Sequence, residues 1–421
     1  MDVVFERCAG IDVHKRMLVV CRRTVDAAGH PLAQTRTFGT TTGDVLRMSD
    51  WLAEGECTHV GIESTGDFWK PIFNVLEGVF EVWLLNAQHI KAVPGRKTDV
   101  KDAQWIAELL AHGLVRPSFI PPREQRDLRD LTRYRVSFVR ERATLVNRVQ
   151  KLLEGANLKL CSVLTDVMGV SGRAILSALL AGETDPQTLA ELACGQLRKK
   201  RAQLAQALQG QLRPHQSFVL AELLTQIETL DETIARFDAQ IQAACAAAAD
   251  EAVVVALLDT IPGVSTTTAQ ILVAEIGTDM QRFPCAAALA AWAGLAPGNN
   301  ESAGQQRSGR TRKGNTWLRA VLVQAAQAAA HTKHTSLAAR YRRIAARRGA
   351  KRAVIALAHT ILVIAYHLIA RREPYQERGE DYLQHGDPER RTQRLVRQLG
   401  HLGFEVTLRP TTTFVPSAEG S

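Results

Sequence analysis

The sequence lacks the paired cysteines that a zinc site or a disulfide framework needs. Its seven cysteines are scattered, none of them forms a CxxC pair, and their number is odd. We therefore expect reduced thiols, most of them packed as small core residues, in a cytosolic protein. The N-terminus carries Asp2, Glu6 and Arg7 and has no apolar signal region. We accordingly expect no secretory signal peptide.

Long hydrophobic runs are rare as well. The one stretch that raises the question of a membrane span, residues 354–370, is barely long enough to cross a bilayer and contains His359, Thr360, Tyr366 and His367. We expect it to be a buried helix of a soluble domain, with no membrane partner. The chain has 421 residues, of which 46% are hydrophobic. These values exclude a single small module and a wholly disordered chain.

Positive charge is present, but it is unevenly distributed. The formal net charge is +9, yet residues 301–360 contain 13 lysines and arginines and a single acid. The rest of the chain is therefore slightly acidic. A concentrated basic region points to an anionic partner, either nucleic acid or an anionic membrane surface.

The hydrophobic pattern changes at Ile120-Pro121-Pro122. Before these prolines, short apolar strands alternate with helical segments, which favours an α/β fold with a sheet flanked by helices. The predicted strands are residues 8–23, 33–38, 59–62 and 80–85, and the predicted helices are residues 42–55, 68–77 and 99–112. After the prolines the pattern becomes mainly helical.

Two long helices are predicted in this second part. The first spans residues 123–154. The second has apolar residues that alternate by three and four, which is typical of a coiled-coil seam and predicts self-association. The seam residues are Leu220, Leu223, Ile227, Leu230, Ile234, Phe237, Ile241 and Ala244. The sequence leaves open whether the two helices pair within one chain or between chains.

Three further segments attract attention. Residues 257–276 have the outline helix, Ile-Pro-Gly-Val turn, helix, which fits either a phosphate-binding turn or an ordinary helical hairpin. Residues 294–319 are polar and rich in glycine, so we predict a long loop. Loops of this length usually have a function or are disordered. The tail from Glu373 is charged and then rich in Thr, Pro and Ser, with a small helix-strand unit predicted at residues 394–408.

Four carboxylates mark the α/β part. Asp12 lies on or just after the first strand and Glu63 ends an apolar strand, while Asp99 and Asp102 are three residues apart and so share one helix face. Each acid alone has an ordinary interpretation as a turn, loop or helix-start residue. Together they can hold two divalent metals for an in-line attack at phosphorus. Oxygen ligands favour Mg²⁺ or Mn²⁺ over zinc.

Several motifs together resemble the DEDD transposases of the bacterial insertion-sequence one-ten family, which are described as RNA-guided recombinases. They are GIDVHK, GIEST, RKTDVKDA and the later IPGV…AWAGLAP…ESAGQQRSGRTRKGN. The resemblance runs from about Cys8 to about Ala330. It implies an N-terminal RuvC-like domain with a ribonuclease-H-like fold, in which the four acids are Asp12, Glu63, Asp99 and Asp102. It also implies a C-terminal transposase domain with a serine nucleophile at Ser302, or alternatively at Ser308.

The resemblance also implies a mechanism and partners. The family joins donor and target DNA through a transient serine–phosphate linkage assisted by Mg²⁺, with a structured noncoding RNA as guide. Family members form dimers that pair into tetramers, and we expect a cytoplasmic, nucleoid-associated protein. Together with the pattern changes, the resemblance divides the chain into a RuvC-like domain (1–122), a helical coiled-coil region (123–255), a transposase domain (256–372) and a tail (373–421). The basic residues beside the serine would contact the DNA backbone; they are Arg307, Arg310, Arg312, Lys313 and Arg319.

Other interpretations compete with this one. A plain RuvC-like nuclease would use the same four acids to cut DNA junctions with water and would need no serine. A sugar kinase of the actin-like fold would need a phosphate loop after Asp12, where Val13-His14-Lys15 stands instead. A non-catalytic nucleic-acid scaffold would not need all four acids, and all four are present.

Overall fold

The chain folds into two compact units, Met1–Pro122 and Arg123–Ser421. The computed structural model describes residues 3–26, 30–63, 66–86, 102–298, 300–302, 305–308, 311, 313–380 and 388–409. Among the predicted site residues, Asp99, Arg310 and Arg312 lie outside these ranges, and for Ser302, Arg307 and Ser308 the backbone alone is described. The finer division at residues 255 and 372 stays a prediction.

The first unit contains a mixed sheet, as the alternation of strands and helices predicts. Its strands are β1 (Cys8–Val13), β2 (Met17–Val25), β3 (Pro31–Gly39), β4 (His59–Glu63) and β5 (Glu81–Leu85). Their order in the sheet is β3-β2-β1-β4-β5. Strands β1, β2 and β3 are antiparallel to one another, whereas β1 is parallel to β4 and β4 is parallel to β5.

The segment 8–23, which the sequence suggested was one strand, is a hairpin, so that prediction was wrong. The chain turns at His14-Lys15-Arg16, where the amide of His14 donates to the carbonyl of Met17 at 3.0 Å. Cys8 then pairs with Arg23. The turn contains neither glycine nor proline, so three consecutive polar residues are the only mark of it in the sequence.

Helices cover both faces of this sheet. They are α1 (Thr42–Glu54), α2 (Trp69–Leu76) and α3 (Asp102–Ala111). Residues Ala9, Ile11 and Val13 of β1 share a core with α1 and α2. The alternate residues face α3, because the Cys8 thiol donates to a carbonyl of that helix and Gly10 lies against its backbone. The first unit thus has its own core, with α3 on one side of the sheet.

The second unit is helical. After a long helix α4 (Arg123–Gly155), its helices are α5 (Leu160–Val163), α6 (Val170–Leu180), α7 (Pro186–Glu191), α8 (Arg201–Ala207), α9 (Pro214–Ala247), α10 (Ala249–Asp259), α11 (Thr266–Ile276), α12 (Ala286–Trp292), α13 (Thr316–His331), α14 (Ser336–Arg348), α15 (Ala350–Arg371) and α16 (Pro388–His401). Single 3-10 turns lie at Gly195–Lys200 and Met280–Arg282.

Helices α4 and α9 pack against each other within one chain. Arg135 pairs with Asp238 and Arg142 with Asp231, and this pairing of rising with falling residue numbers makes the helices antiparallel. The ends of the predicted seam are buried, as at Leu220 and Ile241, whereas Leu230, Ile234 and Phe237 in its middle are half-buried. The interface therefore leaves part of the seam accessible.

Helix α15 is the predicted apolar helix of residues 354–370. By length and composition it would be able to cross a membrane, but 44% of its most apolar window is buried inside the unit. Leu357, Ile361 and Leu362 are fully buried in the largest core cluster, which also contains side chains of α10, α11 and α13. Its position is that of a core helix.

Two predictions for the C-terminal half need correction. Residues 294–319 are not a structureless loop: they contain a hairpin of β6 (Asn300–Ser302) and β7 (Gln305–Ser308), followed by the start of α13. In the tail, the predicted helix is present as α16, but the described residues that follow it, up to Arg409, form no strand.

Candidate functional site

Two of the predicted acids lie side by side at the carboxyl ends of two neighbouring parallel strands, which we call the acid edge of the sheet. Strands β1 and β4 are parallel, with Ile11 opposite Ile62, so Asp12 and Glu63 occupy the next position on each strand. Gly10 and Gly61, two residues earlier, both face α3. Because side chains alternate along a strand, Asp12 and Glu63 lie on that same face.

A third acid begins the helix that covers this face. Asp102 is the first residue of α3. The helix approaches the sheet closely, since a Cβ at Gly10 would lie 2.3 Å from the Ala103 carbonyl oxygen and 2.5 Å from the Ala107 amide nitrogen. Moving along β1 from Cys8 to Asp12 therefore leads towards the N-terminal turn of α3. Asp12, Glu63 and Asp102 therefore belong to the same face of the sheet, with Asp102 at the start of the helix that covers it.

The nearest described partner of Asp12 is a histidine. His14 Nε2 lies 3.1 Å from a carboxylate oxygen of Asp12, whose side chain is 16% exposed. Within the described ranges, no three His, Cys, Asp or Glu side chains approach closely enough to form a metal-ligand group. The oxygen donors and the shared edge fit a Mg²⁺ ion chemically. A cation there would compete with His14 for Asp12.

The predicted nucleophile lies on the hairpin of the second unit. Ser302 ends β6 and pairs with Gln305, while Asn300 pairs with Ser308 and a register shift separates Asn300 from Glu301. Pro297 and Thr311 form a bridge just below the hairpin. The two candidate serines are therefore at opposite ends of the same short ladder, Ser302 close to the tip and Ser308 close to the base.

Arg319, predicted to contact DNA, holds the base of this loop together. Its Nη1 donates to the Gly294 carbonyl at 3.1 Å and to the Thr311 hydroxyl at 2.8 Å. Lys313, by contrast, is exposed. The two basic residues thus differ in what they can do: Arg319 fixes the loop, and Lys313 is accessible to an anion.

A buried carboxylate, which the sequence pattern did not single out, supports the same loop. The side chain of Glu275, near the end of α11, is 0% exposed and accepts two hydrogen bonds from Arg133, at 2.8 and 2.9 Å. It also accepts one from Asn315 Nδ2 at 2.6 Å. Asn315 in turn caps α13 by accepting from the amides of Trp317 and Leu318. The sequence marks Glu275 only as the single acid in the mostly apolar run of residues 269–276.

Arg129 adds to this network. It donates to the carbonyls of Ala274 and Glu275 at 3.1 and 2.8 Å, which satisfies two carbonyls at the end of α11. Burial lowers the pKa of its guanidinium, and the charge of Glu275 opposes that shift. Arg129 and Arg133 of α4 are thus tied to α11 and, through Glu275 and Asn315, to the helix that follows the serine hairpin.

The Ile-Pro-Gly-Val turn serves packing. Gly263 has φ +85°, and a Cβ there would lie 2.4 Å from the Ala329 amide nitrogen and 2.5 Å from the Ala325 carbonyl oxygen of α13. The glycine is therefore required by its backbone conformation and by the close approach of a helix. The inner side of the turn is filled by protein, and the choice between a phosphate-binding turn and an ordinary helical hairpin stays a prediction.

Comparison with known proteins gives consistent matches. A model of the DEDD transposases named for IS110 matches residues 9–158, and a model of the transposase family IS116/IS110/IS902 matches residues 255–342. The chain is 28% identical over 374 residues to a protein of Pseudomonas aeruginosa named as a family 20 transposase, across 87% of this chain and 94% of that protein. It is also 28% identical over 300 residues to the transposase for insertion sequence element IS1111A of Coxiella burnetii, across 70% of this chain and 72% of that protein.

Proposed function

Because the chain belongs to the IS110 family of insertion-sequence transposases, we propose that it cuts and rejoins DNA strands through a transient 5′-phosphoserine linkage on Ser302. The observation that carries this proposal is that Asp12 and Glu63 lie side by side at the ends of two parallel strands, while Asp102 begins the helix that covers the same face. Further support comes from the position of Ser302 next to the tip of a short hairpin whose base Arg319 holds together. The first match covers the acids, and the second covers the serine.

The serine chemistry conserves the phosphodiester bond energy. The Ser302 oxygen attacks phosphorus, a serine–phosphorus bond forms, and the bond from phosphorus to the 3′ oxygen breaks. The serine proton goes to a base, and the released 3′ oxygen takes up a proton. In the second step, a 3′-hydroxyl of another strand attacks the phosphoserine and frees Ser302, so strands are rejoined without ATP. Serine is a weak nucleophile until it is activated.

The carboxylates would hold the cation that this chemistry needs. Asp12, Glu63 and Asp102, with Asp99 added by the family resemblance, would bind Mg²⁺ or Mn²⁺ through oxygen. When bound, the ion neutralises charge on the phosphoryl oxygens. His14 would release Asp12 on binding. The protein groups themselves orient the site: β1 and β4 fix two acids by register, and α3 fixes the third.

The basic residues would hold the nucleic acids. We propose that Arg307, Arg310, Arg312 and Lys313 contact the backbone of double-stranded donor and target DNA, with Arg319 fixing their loop. A structured noncoding RNA would select the two DNA sites. The arginine-rich helix α14, Ser336–Arg348, offers a second basic surface for duplex or guide RNA.

Assembly and location complete the proposal. We propose a RuvC-like first unit and a helical spacer whose half-buried seam at Leu230, Ile234 and Phe237 takes up a second copy, giving dimers that pair into tetramers on nucleic acid. The protein would act in the cytoplasm, at the nucleoid. Light scattering with and without RNA checks the assembly; a monomer at all concentrations in both conditions would contradict it.

Detection of the covalent protein–DNA intermediate is the decisive test. Protein is incubated with Mg²⁺, a transcript of the noncoding segment and labelled DNA carrying the ends of the insertion sequence, then run on a denaturing gel. We expect a protein–DNA adduct that Ser302→Ala abolishes and Ser308→Ala, the matched control on the same hairpin, retains. Loss only with Ser308→Ala would move the nucleophile to Ser308. Asp12→Asn should abolish the adduct in every background.

The junction nuclease is the second candidate, because the acid edge of the first unit would be sufficient for it. That enzyme would cleave labelled DNA junctions with water, leave no adduct and be unaffected by both serine substitutions. Such a result would replace the proposal.

A further inference from the structure

A cleft of about 720 Å³ opens beside the base of the serine hairpin. Its walls come from three separate segments of the second unit: Arg129 and Arg133 from α4, Trp292 from the end of α12, and the stretch from Lys313 to Trp317. The volume is in the range of ordinary ligand sites. The cleft therefore has the size of a site and is formed by the segment that leads from the hairpin into α13.

The cleft is cationic, and the carboxylate that pairs with its arginines is buried and does not line it. Arg129, Arg133 and Lys313 contribute three positive charges against the fully buried Glu275. Arg133 uses Nε and Nη2 on Glu275, and Arg129 uses Nε and Nη2 on the end of α11. In the described part of the chain, Nη1 of both guanidinium groups has no hydrogen-bond acceptor. The buried acid thus orients two arginines and leaves each with N–H groups for an anion.

The cleft also has an exposed aromatic side chain. Trp292 is 41% exposed, the most exposed of the six tryptophans, all of which are described. Phe283 packs against Trp292, with 5.7 Å between ring centroids, and stabilises the ring from the protein side. Trp317 is partly covered by guanidinium groups, with Arg140 at 4.8 Å from its ring centroid. Trp292 is therefore the ring that is available for stacking.

We propose that this cleft binds one unpaired nucleotide of a nucleic-acid strand, with its phosphate on Arg129, Arg133 and Lys313 and its base stacked on Trp292. Cations supply attraction for any phosphate, but a stacking ring adds affinity only where a base is free of its partner. A paired duplex presents its backbone and keeps its bases stacked on one another. The combination therefore selects a single strand or a flipped base beside the hairpin. This inference takes from the proposed function only that the ligand is a nucleic acid.

The test measures equilibrium binding without catalysis. Full-length protein with Ser302→Ala is titrated into labelled oligo-dT, oligo-U and a blunt DNA duplex of equal length, and fluorescence anisotropy is recorded. Adding Trp292→Ala should weaken single-strand binding about tenfold and duplex binding less than twofold, since stacking contributes to the former alone. Trp292→Phe, which keeps a ring, should restore most of the affinity. Phe218→Ala, which removes an exposed aromatic on α9, should change neither.

The cationic part is tested separately. Lys313→Ala should reduce the slope of log K against log salt for oligo-dT by about 0.7, the value for one phosphate contact to a single strand. Lys333→Ala removes an exposed lysine outside the cleft and should leave the slope unchanged.

The outcomes separate this proposal from the recombinase mechanism. If Trp292→Ala leaves single-strand binding intact, or weakens strand and duplex alike, the cleft is not a nucleotide site. Either result would exclude that site whether or not the active protein forms a serine adduct. Tighter binding of oligo-dT than oligo-U assigns the nucleotide to the DNA strand, and the reverse assigns it to the guide RNA.

Discussion

At the scale of single residues, Glu275 carries more of the structure than its position in the sequence suggests. A fully buried carboxylate is costly unless it is paired and hydrogen-bonded, and Glu275 has Arg133, Asn315 and Arg129 around it. The three partners come from α4 and from the N-terminus of α13. One acid thus joins the long helix to the segment that follows the serine hairpin.

We expect Glu275→Gln to destabilise the second unit by about 3 kcal/mol, because removing one partner of a buried ion pair leaves the other charge uncompensated. Urea unfolding followed by far-UV circular dichroism measures the effect. The matched control is Asp238→Asn, which breaks a pair whose carboxylate is 41% exposed and should cost less than about 1 kcal/mol. Equal effects of the two substitutions would contradict a special role for Glu275.

The cysteines provide a second residue-scale prediction. Burial raises the pKa of Cys8 to about 12 and that of Cys57 to about 11, whereas Cys194 and Cys285 are exposed. Because the thiolate is the reactive form, native protein near neutral pH should be labelled by maleimide at Cys194 and Cys285 well before Cys8 and Cys57. Mass spectrometry of tryptic peptides measures this. All seven thiols should react in guanidinium; rapid labelling of Cys8 in native protein would contradict the buried β1.

At the scale of elements, Gly263 illustrates a turn fixed by a neighbouring helix. Its positive φ is strained for any other residue, and the backbone of α13 occupies the place of a Cβ. We expect Gly263→Ala to destabilise the second unit by about 2–4 kcal/mol, combining the conformational cost with overpacking. The control is Gly182→Ala, at another positive-φ glycine with open space around it, which should cost only the conformational part. Thermal unfolding of both variants separates the cost of the positive φ from the cost of overpacking against α13.

The sequence predicted these elements where periodicity and turn residues agreed. Helices α1 and α4, and strands β3 and β4, lie close to their predicted bounds because apolar spacing and flanking glycines or prolines mark them, and α9 contains the whole predicted seam. It failed at the β1–β2 turn, which has neither glycine nor proline, and at the β6–β7 hairpin, whose polar residues have no alternating apolar face. In both places the chain forms a hairpin because its strands pair with each other, and the residues of the turn alone do not reveal that pairing.

The candidate site divides in the same way. Asp12 and Glu63 were predictable because each is a carboxylate in or at the end of an apolar strand, and the parallel register then places them side by side. Glu275, Arg133 and Trp292 were not, because Arg133 is far from the other two along the chain. It bonds to Glu275 and shares a cleft with Trp292 only through tertiary packing. Spacing along a chain identifies residues of one element, whereas a cleft between elements depends on tertiary contacts.

At the scale of the whole molecule, the hydrophobic cores and the net charge both change at the boundary between residues 122 and 123. The core of the sheet and α1–α2 lies wholly within residues 1–122, and the two largest core clusters lie wholly within residues 123–421. From the sequence, the first unit has a net charge of −2 and the second +11. The unit with the acid edge therefore repels phosphate weakly unless a cation is bound, and the other attracts it strongly.

This division predicts how nucleic-acid affinity is distributed. Because each unit has its own core, fragments 1–122 and 123–421 should each unfold cooperatively in urea, which confirms folding before binding is measured. Without divalent metal, fragment 123–421 should bind duplex DNA within about threefold of the full chain, with an affinity that falls steeply as salt rises. Fragment 1–122 should show no binding under these conditions and gain it only with Mg²⁺, because its net negative charge disfavours phosphate until the carboxylates are neutralised. Metal-independent binding by fragment 1–122, or loss of binding by a folded fragment 123–421, would contradict the assignment of phosphate attraction to the second unit.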